Sequence, residues 1–442
     1  MRTALTSVIF VTGRSGVGTI YKVTGVGFKP QMIVFFGSGD LLTTNDVARA
    51  PHRLHISTAI GPAARRACAS WCDDAIDPTV STNMLRRHTD ASGILMINAA
   101  GGTGALDVIS FDDDGYTLQI TTALTSALLV NVFGLCIGNI DEKDSVFRAA
   151  VGSLQVPGAT GNVAYTFPGF RPDFLMFLSI GLDSTPPASG SHPEITVGFA
   201  TPTDQGTVCG FGHRGTTNRR RYGNSSECCS IIDETAFTVL DRAKLVSMDP
   251  TGFTLNWVAV NGTLPRYVFV LAVQGGKWKV GNFLTRTDTN DIVISDIGFQ
   301  PAGFLFASVG KAEDVAGTDA NDMKMSLGAA DSALAMGCAA MLDLNGVNPT
   351  QVTRGQRVDN VYERIADAGG ADEGLMKIKS IQNNGFTMVM STADPNQAFV
   401  LYAAMGSIPR AKNQSEFTPA ASPVAVNAPV QVKAAVAVVA DP

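Results

Sequence analysis

Four stretches of this chain carry residue types that could do chemistry. The first is Thr12-Gly13-Arg14-Ser15-Gly16-Val17-Gly18, a glycine-rich run after the apolar Ser7 to Val11. Such a run cradles phosphate when a helix N-terminus follows it. Here Thr19-Ile20-Tyr21-Lys22-Val23-Thr24 follows, β-branched and alternating, so a strand is predicted. The glycine spacing also departs from G-x-G-x-x-G, and a hairpin turn is expected in place of a nucleotide site. The second stretch holds His52, His55, Cys68, Cys72 and His88, all zinc-ligand types. Their spacing fits no standard finger, and the expectation is loop histidines, core cysteines and no metal. The third, Asp112-Asp113-Asp114-Gly115, lacks the terminal glutamate of a calcium loop and reads as a turn.

The fourth is basic. His213-Arg214-Gly215-Thr216-Thr217-Asn218-Arg219-Arg220-Arg221-Tyr222 has counterparts in Arg86-Arg87-His88 and in Arg354 and Arg357. A polar, arginine-bearing loop is expected at each place. It is either a solvated loop or a contact between subunits, where arginine is favoured and pairs bidentately with carboxylates. Catalytic signatures are missing: the chain has no G-x-S-x-G, H-E-x-x-H, P-loop or Cys-x-x-Cys. A protein without enzymatic activity and without a cofactor is expected.

The elements that must position these residues are repeated. Gly27-Phe28-Lys29-Pro30, Gly169-Phe170-Arg171-Pro172 and Gly298-Phe299-Gln300-Pro301 each lead into a short apolar run, which suits a turn entering a buried strand. A second signature is Asp114-Gly115-Tyr116-Thr117-Leu118, Thr251-Gly252-Phe253-Thr254-Leu255 and Asn384-Gly385-Phe386-Thr387-Met388, a hairpin-type turn with a strand-period tail. A Ser/Thr-x-Gly strand (Ser57 to Gly61, Ile195 to Phe199, Met325 to Ala329) and a small-residue strand with one cysteine at the same relative place, expected to be equivalently buried (Cys68, Cys209, Cys338), lie between them. Closing strands run over Val130 to Gly138, Tyr267 to Val273 and Phe399 to Gly406. From Gly27 to Gly169 is 142 residues and from Gly169 to Gly298 is 129, too long for a solenoid unit and right for tandem domains. The division predicted is 1–145, 146–280 and 281–410, with Phe28, Phe170 and Phe299 equivalently buried.

Of the 442 residues only 16% are charged and 45 are glycine, which favours all-β domains with tight turns over charged amphipathic helices. A net charge of -6 argues against a nucleic-acid binder, whose affinity comes from neutralising phosphates. No apolar stretch reaches 18 residues, so no helical membrane span is expected, and Met1 to Val11 lacks the features of a secretory leader. Seven cysteines, an odd number, suit buried thiols in a protein made in a reducing cytoplasm. Residues 411–442 are rich in Pro, Ala and Val. They are expected to form an extended arm, with Val424, Val426, Val430 and Val432 as contact candidates that could add a strand to a neighbour's sheet.

With its three Gly-Phe-x-Pro strands, three Gly-aromatic-Thr-aliphatic strands and alanine-bearing closing strands, the chain resembles tandem-repeat virion proteins of tailed bacteriophages. The resemblance implies a structural role in the virion: a capsid decoration (cement) protein, or else a tail fibre or spike protein binding a receptor or glycan. Its partners would then be the major capsid protein or tail proteins, with self-association and no nucleic acid or membrane. The fold expected is three β-sandwich, jelly-roll-like domains plus the arm, and the interface candidates are Arg86, Arg87, Arg219, Arg220, Arg221, Arg354 and Arg357. Three fused domains could also stand around a pseudo-threefold axis like a homotrimer, which would suit a local threefold site on a capsid, whereas a row of beads would suit a fibre.

Overall fold

The computed structural model describes residues 1–10, 16–40, 46–49, 51–77, 84–97, 103–123, 130–138, 147–312, 322–366 and 371–406. The arm expected over 411–442, with its four valines, lies outside the described residues, as do Thr12 to Ser15. The protein is all-β: among the described residues there are strands and turns and no helix.

Strand order repeats three times. In the first third a large sheet runs β1 (Arg2–Phe10), β11 (Val130–Gly138), β3 (Met32–Asp40), β5 (His52–Ala59), β6 (Arg65–Cys72), β7 (Met84–Thr89). A small sheet runs β2 (Ile20–Thr24), β10 (Gly115–Thr122), β9 (Thr103–Asp112), β8 (Ile94–Ile97). The middle third gives β12 (Arg148–Gln155), β22 (Tyr267–Gln274), β14 (Phe174–Ser179), β16 (Glu194–Ala200), β17 (Gln205–Gly212), β18 (Arg219–Asn224). Its small sheet is β13 (Gly161–Tyr165), β21 (Gly252–Ala259), β20 (Val239–Asp249), β19 (Cys229–Ile232). The last third gives β23 (Lys277–Leu284), β32 (Phe399–Gly406), β25 (Pro301–Ser308), β26 (Met323–Asp331), β27 (Met336–Asp343), β28 (Val352–Arg357). Beside it lie β24 (Asp291–Ile294), β31 (Gly385–Thr392), β30 (Asp372–Gln382), β29 (Tyr362–Ile365). Each pair of sheets encloses its own apolar core, around Tyr116, Trp257 and Phe386 respectively.

The two signature motifs meet in space. The Gly27 N–H donates to Asp114 Oδ1 (2.5 Å), the Gly169 N–H to the Thr251 carbonyl (3.0 Å) and the Gly298 N–H to Asn384 Oδ1 (2.6 Å). The turn that opens one strand is therefore fastened by the turn of another more than eighty residues away. Gly115, Gly252 and Gly385 are required there for a second reason. A Cβ on them would fall 1.9, 1.8 and 2.1 Å from the carbonyl oxygens of Val23, Tyr165 and Ile294 on the facing strand. Phe28, Phe170 and Phe299 are alike in burial, at 9, 9 and 7% exposure.

Register corrects the alignment of the middle strands. Phe35 faces Ser57, Phe177 faces Gly198 and Phe306 faces Gly328, so these three partners are equivalent, and Gly61 is not the counterpart of the other two glycines. Opposite them stand Ala67, Thr207 and Cys338. Cys68, Cys209 and Cys338 thus occupy three successive positions of one strand rather than one shared position. Because side chains alternate with period two, Cys68 points into the core shared by all three repeats while Cys209 packs with Phe211 and Tyr222 on the other face. All three are buried, and burial alone pushes the Cys68 thiol well up.

The three large sheets turn their remaining faces towards one another. Phe36 and Leu135 of the first repeat, Met176 and Leu271 of the second, and Leu305 and Leu401 of the third belong to one continuous core. Strands are also lent across repeats: β15 (Ala188–Ser191) of the second repeat pairs with β7 of the first, and β4 (Asp46–Arg49) of the first pairs with β28 of the third. The contacts run in one sense and close. Arg66 of the first repeat lies over Phe269 of the second; Gly206 of the second abuts Leu401 of the third; Gly337 of the third abuts Phe133 of the first. By register, Arg66, Gly206 and Gly337 are one position, and Phe269, Leu401 and Phe133 are another. Repeats in a row could make two such contacts; three require a triangle around a pseudo-threefold axis.

Candidate functional site: the seams between repeats

The expected arginine loops are strands. β7, β18 and β28 are the last strands that each repeat contributes to its large sheet. Pairing with Ser70, Gly210 and Met341 makes Arg86, Arg221 and Arg354 equivalent. Each reaches the next repeat around the ring. Arg86 donates to Glu194 Oε2 (2.7 Å) and to Glu234 Oε2 (2.6 Å). Arg221 donates to the Gly310 carbonyl and Arg354 to the Pro51 carbonyl, both at 3.4 Å. All three are buried.

Arg219 makes the most enclosed contact. Its Nε donates to Asp343 Oδ2, with both side chains wholly buried, and its Nη1 donates to the carbonyls of His213, Thr216 and Asn218. By register Met84, Arg219 and Val352 are equivalent, as are their partners Cys72, Gly212 and Asp343. These positions converge: Met84, Val352 and Cys72 pack together, and Arg219 Nη2 lies 4.0 Å from the Met84 sulfur. A homotrimer would place three identical side chains at each level, so three arginines or three aspartates would repel. Fusion into one chain lets an Arg–Asp pair occupy a layer that is otherwise apolar. Burial raises the Asp343 carboxyl, and the guanidinium opposes that rise.

The side-chain contacts described for Arg87, Arg220 and Arg357 lie within their own repeats. Arg87 donates to Thr103 Oγ1 (3.3 Å), Arg220 lies over the Phe237 ring (5.5 Å), and Arg357 pairs with Asp372 (2.6 Å) and Glu363 (3.3 Å). Sequence reasoning missed the acceptors. Glu194 opens the apolar run Glu194-Ile195-Thr196-Val197 and Asp343 ends Met341-Leu342-Asp343. A lone carboxylate inside a strand with no polar alternation was the available signal, since such a group needs a buried partner. Of the zinc-type residues, His55 is buried and its ring is pulled down to about 4 by desolvation, while His88 lies at the first seam, Nε2 3.0 Å from the Ser184 carbonyl. Among the described residues no three His, Cys, Asp or Glu stand close enough to hold a metal.

Carboxylates and guanidinia are paired both across seams and within repeats, burial raises the cysteine thiols, and an open depression of about 850 Å³ beside Gly298 to Ala302 is lined by Lys379, Ser380 and Asn383 among others. Glu363, paired with Arg357 inside the third repeat, gives a pH test of a buried carboxyl. Burial raises its carboxyl well above the ordinary range, against the pull of Arg357. A raised folded value means that its contribution is complete below the unfolded carboxylate pKa and is lost as pH rises through the folded one. Glu363→Gln is therefore expected to leave stability unchanged near pH 4 and to increase it by roughly 1 kcal/mol near pH 8, read from denaturant midpoints at both pH values. Equal effects at the two would refute the assignment.

No family model and no curated protein matches the chain. A solved fructofuranosidase from Schwanniomyces occidentalis, complexed with fructose, aligns over 90% of this chain and 100% of its own at 8% identity with a TM-score of 0.11, which carries no argument about fold or activity.

Proposed function

We propose that this chain is a non-enzymatic structural protein of a phage virion, a capsid decoration protein that stabilises the head through surface and arm contacts and is made in the host cytoplasm. The observation that carries the reading is the closed ring. Three equivalent inter-repeat contacts give a single chain the outline of a trimer, and a body of that outline matches a local threefold position of a lattice built from identical subunits. The seams hold the buried pairs Arg86–Glu194 and Arg219–Asp343, and in this reading the outer small sheets and residues 411–442 serve for contact with other virion proteins. A fibre component would be better served by repeats in a row.

The test is cryo-EM of heads lacking this protein after incubation with the purified full chain. Triangular density at local threefold positions is expected, and a chain truncated after Arg410 should occupy them less. Absence of the full chain from heads, or density on the tail alone, overturns the proposal.

A further inference from the structure

The seam between the first and second repeats concentrates ionisable groups that the proposed role does not use. His192 directly follows β15 and has a left-handed backbone, φ 70°. Its ring centroid lies 4.3 Å from that of His213, the two rings tilted by 33°, and its Nδ1 accepts a hydrogen bond from the Arg214 backbone N–H at 2.9 Å. The proton of the neutral ring therefore sits on Nε2, 4.0 Å from Glu234 Oε2. Glu234 already accepts from Arg86, which it shares with Glu194. Facing the pair are Arg86 from β7, Glu194 from β16, Arg214 and Arg219 around the hairpin from β17 to β18, and Glu234 after β19, while His88 lies further along the same seam, opposite Ala188. Thr216 Oγ1 accepts from the Asn218 N–H and lies 3.0 Å from His213 Nδ1.

We propose that this seam is an acid-sensitive joint, in which protonation of His192 and His213 releases the short strand β15 of the second repeat from β7 of the first. A second proton on His192 must go to Nδ1, where it meets the Arg214 N–H head-on: two donors would share one contact and the acceptor would be lost. The new cation would stand against a second imidazole, Arg86 and Arg214, with the nearest carboxylate already engaged. Only four residue pairs, Ala188–His88 to Ser191–Leu85, tie β15 down, so little pairing must be given up. The closed seam holds His192 down to about 3 and His88 to about 4, chiefly by desolvation, and lowers His213 for the same reason. The open seam frees them towards 6.5. Neutral histidine is thus favoured when closed, so closure is at full strength above pH 6.5 and weakens as pH falls below it.

Hydrogen exchange of the full chain at pH 7.5 and 5.5, corrected for intrinsic rates, reads this directly. Amides of 188–191 and 85–88 are expected to open about tenfold more often at pH 5.5 for one histidine that is neutral when closed. His192→Asn combined with His213→Asn should cut the response to the share left to His88, since asparagine tolerates the left-handed backbone and can offer Oδ1 to the Arg214 N–H without titrating. Equal opening at both pH values in the unaltered protein overturns the proposal, and so does a response of undiminished size in the double variant, which would assign it to His88 alone. Histidine ring NMR shifts of the unaltered protein give a check that needs no variant: a seam histidine titrating near 6.5 while exchange stays slow also overturns it.

Discussion

Asp343→Ala is expected to destabilise the folded protein by about 3 to 5 kcal/mol, the usual cost of leaving one partner of a buried ion pair without its counter-charge. Arg219 has no exposed route out: its side chain is fully buried, its Nη1 is already committed to three carbonyls, and its remaining neighbours include the Met84 sulfur. Arginine cannot discharge the cost by losing its proton, because its pKa lies too high. The effect is expected to spread, because Arg219 belongs to the second repeat, Asp343 to the third, and the Cys72 and Met84 layer to the first. Replacing both members with apolar residues, Arg219→Met with Asp343→Leu, should recover most of the loss, as buried ion pairs generally exchange for packed hydrophobes at little net cost. Chemical denaturation of both variants at pH 7 decides the matter. A single variant within about 1 kcal/mol of the unaltered protein would mean the charge is not buried as described.

Gly198→Val is expected to be the most damaging change to a sheet interior, at or above the ~1 to 3 kcal/mol of ordinary overpacking. A Cβ at Gly198 would lie 1.8 Å from the Cys228 carbonyl oxygen. Backbone of the small sheet, not a flexible side-chain end, occupies that space, so the two sheets would have to separate. The equivalent Gly328 meets the Val361 carbonyl at 1.9 Å. In the first repeat the position is Ser57, whose hydroxyl instead donates to the Gly93 carbonyl (2.5 Å). Repeat one has therefore relaxed its sheet spacing enough for a small side chain, and Ser57→Gly should cost little beyond backbone entropy, about 1 kcal/mol. Thermal midpoints of the two variants rank them; Gly198→Val melting with the unaltered protein would contradict the close approach.

Strand, turn and repeat were legible in the sequence because they depend on local chemistry. Period-two alternation, Gly-Phe-x-Pro turns and Asp/Asn-Gly heads act over a few residues, and they placed the opening, second-signature and closing strands of every repeat and the burial of Phe28, Phe170 and Phe299. Register among the small-residue strands was not legible. Runs such as Ala67-Cys68-Ala69 and Gly337-Cys338-Ala339-Ala340 offer neighbouring positions of similar size, so one-residue slips leave the pattern unchanged while moving a thiol from one face to the other. Partner choice was likewise settled only by tertiary structure. Arg86 and Glu194 are 108 residues apart and Arg219 and Asp343 are 124 apart, and nothing local distinguishes a guanidinium bound for a seam from one bound for water. The sequence also made three sandwiches equally compatible with a row or a triangle. The shared core and the third seam, where Gly337 returns to Phe133, close the ring, because the apolar faces left on the three large sheets can all be buried at once only against one another.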